Sequence, residues 1–187
     1  MEFKRLAIPD VVLCQPAVHG DHRGYFMETF RQDKLDAFLG HTLNFCQDNE
    51  SKSSFGILRG LHYQLPPYAQ TKLVRVIQGK VLDVAVDMRL GSATYGKHVS
   101  AVLDSETKNQ LLVPQGFAHG FVVLSEEAIF AYKVDAYYNF ESERGMAFND
   151  PALGIDWGLP HDQLKTSVKD AKSLLFKDAE PFVNLKK

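Results

Sequence analysis

The chain has 187 residues, of which 45% are hydrophobic, and it contains 13 Phe and 7 Tyr. This apolar content suffices for one domain with a sizeable core, whereas two domains would each be small. The formal net charge of −2 does not mark a general binder of nucleic acid or membranes, although a local basic patch for a phosphate group is compatible with it.

The N-terminus shows no targeting signal. Residues 1–5 are followed by no apolar segment of the kind found in signal peptides, and no apolar run approaches membrane-spanning length. We therefore expect a soluble cytoplasmic protein. Cys14 and Cys46 each lie in an apolar, strand-like run, and at this size and cysteine density we expect two buried reduced thiols rather than a disulfide.

One early helix precedes a series of short strands. Residues 32–39 place Leu35, Phe38 and Leu39 on one helical face. Residues 72–77 and 80–87 flank a Gly-containing two-residue turn, which predicts a β-hairpin. Four more strands are predicted, at residues 98–103, 109–113, 119–124 and 128–138. Regularly spaced short strands favour an antiparallel sandwich or barrel, and a short helical stretch follows around residues 170–176.

His62 is a candidate base within a predicted strand. It shares a strand face with Gln64, whereas Arg59 would face the other way unless a bulge intervenes. A histidine in a strand is most often an ordinary core or surface residue. However, polar residues that point into a barrel interior are costly unless they serve a ligand, which favours a role in chemistry here.

Two carboxylates could orient a histidine. Asp83 lies in a run that otherwise reads as fully buried and therefore needs a partner, and His119 is similarly flanked by apolar residues. Asp83 with His119, or Asp170 with His62, could each form a carboxylate–imidazole pair, and the sequence does not choose between the pairings.

Other polar residues have plain structural explanations beside functional ones. Lys72 is either a solvated strand-end lysine or an ammonium that stabilises an oxyanion. Tyr132 and Tyr138 share a predicted strand face, where tyrosine is common for structural reasons alone. Arg23 is either a surface residue or a ligand of a phosphate group.

The sequence carries no recognisable metal or cofactor signature. The seven histidines are scattered, and His62 is followed by Tyr63 and Gln64 instead of the closely spaced second histidine typical of metal-binding β-barrels. There is no zinc-type Cys/His spacing, no Gly-rich phosphate loop and no dinucleotide fingerprint. We therefore expect acid–base chemistry without a metal or cofactor.

Nine segments together resemble one known family. They occur in the order of that family at residues 20–26, 47–51, 58–64, 72–76, 83–87, 114–121, 132–138, 149–157 and 167–170. On these segments the chain resembles the dTDP-4-dehydrorhamnose 3,5-epimerases of nucleotide-sugar biosynthesis. The resemblance extends over roughly residues 6 to 172, nearly the whole chain.

The resemblance implies a single all-β domain over residues 1–187, a double-stranded β-helix (jelly roll, cupin-like) with a few short helices. It also implies a cofactor-free homodimer that inverts carbons 3 and 5 of dTDP-4-keto-6-deoxy-D-glucose. His62 would be the base, Asp170 its orienting partner, Tyr132 the acid on the opposite face and Lys72 the group that stabilises an enolate. Asp83 and His119 would shape the pocket from behind these residues.

By the same likeness, a further set of residues would hold the thymidine diphosphate: Arg23, Phe26, Glu28, Gln47, Asn49, Arg59 and Tyr138. Arg23, Phe26 and Glu28 lie in an N-terminal segment that would be exchanged, so that it covers the partner's site. Three alternatives stay open: a relative that inverts one carbon only, a 3,4-ketoisomerase of the same fold, and a non-catalytic sugar-binding protein. The last would have lost the base, the acid or the orienting carboxylate, and all three are present.

Overall fold

A computed structural model describes residues 1–183 of the chain. It contains one α-helix, α1 (Gln32–Leu39), and two single-turn 3₁₀ helices (His161–Gln163 and Asp170–Lys172). The strands of this part of the chain are β1 (Glu2–Arg5), β2 (Val12–Gln15), β3 (Val18–Asp21), β4 (Gly24–Met27), β5 (Gln47–Ser54), β6 (Leu58–Gln64), β7 (Lys72–Gln78), β8 (Lys80–Asp87), β9 (His98–Asp104), β10 (Gln110–Val113), β11 (Phe117–Val123), β12 (Glu127–Val134) and β13 (Glu143–Gly145).

Two antiparallel sheets form the body of the fold. The strand order is β1-β2-β10-β7-β12-β5 in the six-stranded sheet and β13-β6-β11-β8-β9 in the five-stranded sheet. Strands β3 and β4 form a separate hairpin, which we call the arm. The predicted all-β, cupin-like jelly roll with a few short helices is confirmed. No helix within residues 1–183 combines the length and apolar character that a membrane span requires.

The core fills the space between the sheets and extends over both outer faces. Between them, Phe130 of β12 stacks on Phe121 of β11 with ring centroids 4.0 Å apart. Trp157 and Phe182 of the C-terminal tail cover the outer face of the five-stranded sheet. Helix α1 covers part of the other sheet, with Leu35 buried and its neighbours Phe38 and Leu39 partly buried, which confirms the predicted helix.

The predicted hairpin across Gln78-Gly79 is wrong. Strand β7 belongs to the six-stranded sheet and β8 to the five-stranded sheet, so the turn is a corner between sheets. Gly79 has a φ of +83° and exchanges hydrogen bonds with Ser105. A Cβ at this position would overlap the Glu127 carbonyl oxygen. A hairpin and a corner share the same alternating apolar pattern, and the packing of the two sheets decides between them.

A bulge in β6 places Arg59 and His62 on one face of the strand. His119 of β11 lies opposite His62, and Phe121 lies opposite Arg59. Three steps along β6 therefore match two steps along β11, which is the arrangement of a β-bulge. In a strand without a bulge, side chains three positions apart would point to opposite faces.

Three further sequence predictions differ from the structure. Strand β12 ends at Val134 instead of residue 138, because the Asp135 side chain accepts the Thr71 N–H at 2.6 Å, so Tyr132 and Tyr138 do not share a strand face. The helical turn at Asp170–Lys172 is shorter than predicted, because residue 174 pairs with Met146 as an isolated bridge.

The third difference concerns the cysteines. Cys14 is buried as predicted, and burial raises the pKa of its thiol to about 12. Cys46 is exposed, because it immediately precedes β5, the edge strand of the six-stranded sheet. No disulfide joins the two residues.

Replacement of Gly79 by alanine is expected to lower the free energy of unfolding by roughly 3 kcal/mol. The loss has two causes: alanine is strained at a positive φ, and its Cβ would overlap the Glu127 carbonyl oxygen. Gly91 provides a matched control, since its φ of +85° is nearly the same but no atom lies within 4 Å of a Cβ built there. Gly91→Ala should cost only about 1 kcal/mol. Urea unfolding of both variants measures the difference, and equal losses would show that the close approach at the corner is unimportant.

Candidate active site

A cavity of about 610 Å³ opens between the two sheets. Its size is typical of small-molecule sites. The residues that line it come from both sheets and from the C-terminal tail: Asn49, Glu50, Ser51, Ile57, Leu58, Arg59, His62, Lys72, His119, Phe121, Phe130, Tyr132, Lys165, Thr166, Ser167, Lys169 and Asp170. The fold therefore brings together seven of the residues that sequence reasoning selected.

His62 and Asp170 form a hydrogen-bonded pair on the cavity wall. His62 Nε2 lies 2.7 Å from Asp170 Oδ1, with the histidine side chain 31% exposed and the aspartate side chain 6% exposed. Burial alone would raise the pKa of Asp170, but the hydrogen bond and charge of His62, assisted by Gly60 and Ser167, hold it below its usual range. An ionised carboxylate requires a proton on Nε2, which leaves Nδ1 as the basic nitrogen.

A second pair lies deeper. His119 Nε2 is 2.9 Å from both carboxylate oxygens of Asp83, which is fully buried. Burial raises the pKa of Asp83, although His119 and Lys72 oppose this effect. The His119 ring also stacks on Phe130, with centroids 6.2 Å apart. Both pairings that the sequence left open are therefore present together in the structure.

Lys72 enters the cavity from the six-stranded sheet. Its ammonium donates to the main-chain carbonyl of His62 at 3.4 Å. Burial lowers the pKa of Lys72 to about 8, although the charges of Asp83 and Glu143 oppose the shift. The Lys72 ammonium is poorly solvated, and within residues 1–183 no carboxylate lies within ion-pair distance of it. Such a cation is suited to stabilise a developing oxyanion.

Tyr132 faces the cavity from strand β12 of the six-stranded sheet, whereas His62 belongs to the five-stranded sheet. Burial raises the pKa of the Tyr132 phenol, with a smaller contribution from Glu143 and an opposing one from Arg59. The phenol is therefore protonated near neutral pH and available as a proton donor. The His62 imidazole and the Tyr132 phenol thus occupy opposite walls of one cavity.

Arg59 makes part of the cavity strongly basic. Its Nε donates to Ser53 Oγ at 2.9 Å, which leaves the terminal nitrogens of the guanidinium available. Within residues 1–183, Arg59 makes no ion pair with a carboxylate. An unpaired guanidinium in a pocket is suited to bind a phosphate group. On strand β5 of the six-stranded sheet, Gln47 Nε2 donates to Asn49 Oδ1 at 2.8 Å.

The sequence profile of the dTDP-4-dehydrorhamnose 3,5-epimerase family matches residues 5–178. The chain belongs to this family. It is 49% identical to the dTDP-4-dehydrorhamnose 3,5-epimerase of Shigella flexneri over 98% of this chain and 100% of the relative. It is 50% identical to the enzyme of the same name from Pseudomonas aeruginosa over 97% and 99%.

A solved structure of the family agrees with this fold. It is the dTDP-6-deoxy-D-glucose-3,5-epimerase of Legionella pneumophila in complex with dTDP-4-keto-L-rhamnose. The two chains are 46% identical and superpose with a TM-score of 0.91 over 95% of this chain and 93% of the other.

Gln47 and Tyr138 lie outside the cavity lining, and three further residues that the family resemblance assigns to nucleotide binding lie away from the cavity of their own chain. Arg23 and Phe26 are on the arm, where Arg23 pairs with Asp21 at 2.6 Å and Phe26 is 68% exposed. Glu28 follows the arm and pairs with Arg31 at 3.0 Å. None of the three lines the cavity.

Sequence reasoning missed several polar residues at the cavity. Glu143 Oε2 accepts hydrogen bonds from Tyr138 at 2.9 Å and from Lys169 at 2.6 Å. Ser167 Oγ accepts the Asp170 N–H at 3.0 Å, and Thr166 Oγ1 is buried with no hydrogen-bond partner in the described part of the chain. Strand β13 is too short to predict, but the spacing of Ser167 and Asp170 could have indicated a local cap.

We expect Lys72 to titrate near pH 8. Since its folded pKa lies below the unfolded value, the folded state binds the proton less well, and deprotonation adds stability as the pH rises from about 8 towards 10.5. NMR of ¹³Cε-labelled lysine measures the pKa directly, and Lys72→Met should remove the shifted resonance. The exposed Lys52 is the control. A lysine spectrum in which no resonance titrates below pH 9.5 would contradict the burial argument, because an unperturbed lysine titrates at about 10.4.

Proposed function

We propose that the chain is a dTDP-4-dehydrorhamnose 3,5-epimerase, which inverts carbons 3 and 5 of dTDP-4-dehydro-6-deoxy-D-glucose. The observation that carries this proposal is the placement of the His62–Asp170 pair and the Tyr132 phenol on opposite walls of one cavity that Lys72 also lines. A cytoplasmic location, where nucleotide sugars are built, is part of the proposal.

The reaction depends on the acidity of the C–H bonds at carbons 3 and 5 of the sugar. Carbons 3 and 5 both flank the ketone at carbon 4, so removal of a proton from either one gives an enolate. We assign the base to Nδ1 of His62, whose tautomer is fixed by the Asp170 carboxylate. One imidazole can serve both carbons if the sugar ring shifts modestly between the two proton transfers.

The enolate places negative charge on the carbonyl oxygen. Lys72 is the assigned partner of that oxygen, because a buried ammonium placed in advance favours the charged intermediate more than the neutral ketone. His119 lines the cavity and Asp83 holds its ring from behind, so the pair would limit how far the sugar ring can enter.

Inversion needs a proton from the face opposite the base. Tyr132 is the assigned acid, since its phenol is protonated near neutral pH and extends from the other sheet. The four roles involve proton transfer alone, so we propose that the reaction needs no cofactor or metal. In residues 1–183 no group of three or more His, Cys, Asp or Glu side chains is arranged to hold a metal ion.

The nucleotide supplies binding energy away from the reacting carbons. Arg59 with Gln47 and Asn49 would hold one side of the thymidine diphosphate, and Tyr138 another. We further propose a homodimer in which Arg23, Phe26 and Glu28 of the arm region close the partner's site. The exposure of the arm supports this arrangement, because Phe26 and Arg23 are otherwise solvated on their own chain. Such remote contacts position the sugar for reaction.

Proton NMR in deuterium oxide with dTDP-4-dehydro-6-deoxy-D-glucose tests the proposal. We expect deuterium at carbons 3 and 5 together with the doubly inverted product, in the presence of a strong chelator and without added cofactor. Exchange at one carbon would assign a single-position epimerase instead. Absence of exchange at both positions, with nucleotide binding intact, would refute the epimerase assignment.

Base and acid variants should separate exchange from inversion. His62→Ala should lower deuterium incorporation by at least about a hundredfold, while dTDP affinity is retained. Tyr132→Phe should retain incorporation but lose most of the inverted product, since the enolate would regain its proton from the original face. His98→Ala, on strand β9 and outside the cavity lining, is the control. Equal loss of exchange and inversion in Tyr132→Phe would place Tyr132 elsewhere in the mechanism.

A mixing experiment tests the exchanged arm. Arg23→Ala and His62→Ala chains should each be nearly inactive, but after verified subunit exchange a mixed dimer should regain activity, because one of its two sites is intact. For random pairing, about half of the dimers are mixed, so we expect roughly a quarter of wild-type activity from the single complete site in each. No recovery would place Arg23 and His62 in the same subunit's site.

A further inference from the structure

Gln64 is a buried polar residue that the proposed mechanism does not use. It lies on β6, two positions after His62, and is only 5% exposed. The sequence suggested that a polar side chain on this face would serve a ligand, but Gln64 does not line the cavity. Burial of an amide is unfavourable unless its hydrogen bonds are made within the protein.

The Gln64 amide binds the main chain of two loops. Its Nε2 donates to the Tyr68 carbonyl at 2.6 Å and to the Tyr137 carbonyl at 3.3 Å, while its Oε1 accepts the Asn139 N–H at 2.7 Å. These three contacts use both donor hydrogens and the acceptor of one side chain. Two of them lie on either side of Tyr138.

The segment that carries Tyr138 is held mainly by hydrogen bonds to its main chain, among them those from Gln64 and one from Gln70 Nε2 to the Ala136 carbonyl at 2.8 Å. It connects β12 to β13, and the Tyr137, Tyr138 and Phe140 side chains on it are exposed. The Tyr138 hydroxyl donates to Glu143 at 2.9 Å, and Glu143 also accepts a hydrogen bond from Lys169 of the cavity lining. Glu143 is itself the ladder partner of Gln64. A loop whose side chains pack so little depends on its main-chain hydrogen bonds for its position.

We propose that Gln64 is a positioning residue that fixes Tyr138 relative to His62, so that strand β6 sets the spacing between the nucleotide-holding and proton-transferring parts of the site. The inference rests on the proposed function, in which Tyr138 contacts the nucleotide. It deepens that function by naming the residue that couples substrate affinity to the strand carrying the base.

The first test is Gln64→Met, which retains the approximate shape of the side chain but removes all three hydrogen bonds. We expect the Kd for dTDP, measured by calorimetry, and the KM to rise about tenfold, which corresponds to the loss of one good contact at Tyr138. At saturating substrate kcat should change less than twofold, because the His62–Asp170 pair is untouched. Gln15→Met is the matched control, since it removes one side-chain bond to the Thr107 carbonyl far from the cavity.

A second variant acts from the loop side and leaves the core of β6 unchanged. Asn139→Ala removes the bond from the Ser142 N–H to Asn139 Oδ1, 2.9 Å long, which shapes the same segment. It should raise the KM in the same direction as Gln64→Met. This variant keeps the proposal testable if Gln64→Met fails to fold.

A double-mutant cycle distinguishes positioning from general destabilisation. Tyr138→Ala alone should weaken dTDP binding about tenfold, and Gln64→Met should add little to it, because both changes remove the same contact. Fully additive effects, or a fall in kcat at unchanged KM, would overturn the inference. If the wild-type chain neither binds dTDP nor exchanges the sugar protons, the proposed function is refuted together with this inference. If the wild-type chain does both, and the Gln64 and Asn139 variants have the wild-type KM, only this inference is refuted.

Discussion

The hydrogen bond between His62 and Asp170 depends on the packing of the C-terminal tail against the five-stranded sheet. It joins two residues separated by 108 positions, and it forms only if the C-terminal tail returns across the mouth of the sandwich to the bulged strand β6. The tail is held there by its own apolar residues, which bury the outer face of the five-stranded sheet. The packing that stabilises the tail therefore also holds Asp170 against His62, and this contact fixes the tautomer of the imidazole. This arrangement keeps a charged carboxylate in a largely buried place, where it would otherwise be unfavourable.

The two histidine–carboxylate pairs show how environment separates residues of the same type. His62 is partly exposed and its partner Asp170 has a lowered pKa, whereas Asp83 is fully buried and has a raised one. The difference follows from burial and from the number of donors around each carboxylate, since Asp170 Oδ2 also accepts the Gly60 N–H at 3.5 Å. The outer pair is thus suited to accept a proton, and the inner pair to hold the wall of the cavity in place.

Much of the fold could be predicted from local patterns, and the failures have a common cause. Helix α1 and most strands were predictable because their apolar residues repeat with a clear period. The corner at Gly79 and the end of β12 were not, because each depends on contacts with distant segments, Glu127 in one case and Thr71 in the other. At the site, the motifs around His62 and Asp170 pointed to residues that the fold brings together in one cavity. Glu143 gave no comparable signal, since its importance comes from partners at positions 138 and 169 that only the folded chain brings together.

The bulge in β6 also limits how this part of the gene can change. Because three steps on β6 face two on β11, insertion of a single codon between Arg59 and His62 would exceed the one extra residue that the bulge accommodates and would reverse the facing of one of the two side chains. Either the guanidinium or the imidazole would then turn into the apolar layer beneath, and a buried leucine would turn outwards in its place. Substitution is limited as well, since a Cβ on Gly60 would lie 2.6 Å from the Gly120 Cα and Leu61 is fully buried. A longer stretch and a bulkier residue at position 60 should therefore both be rare among viable descendants.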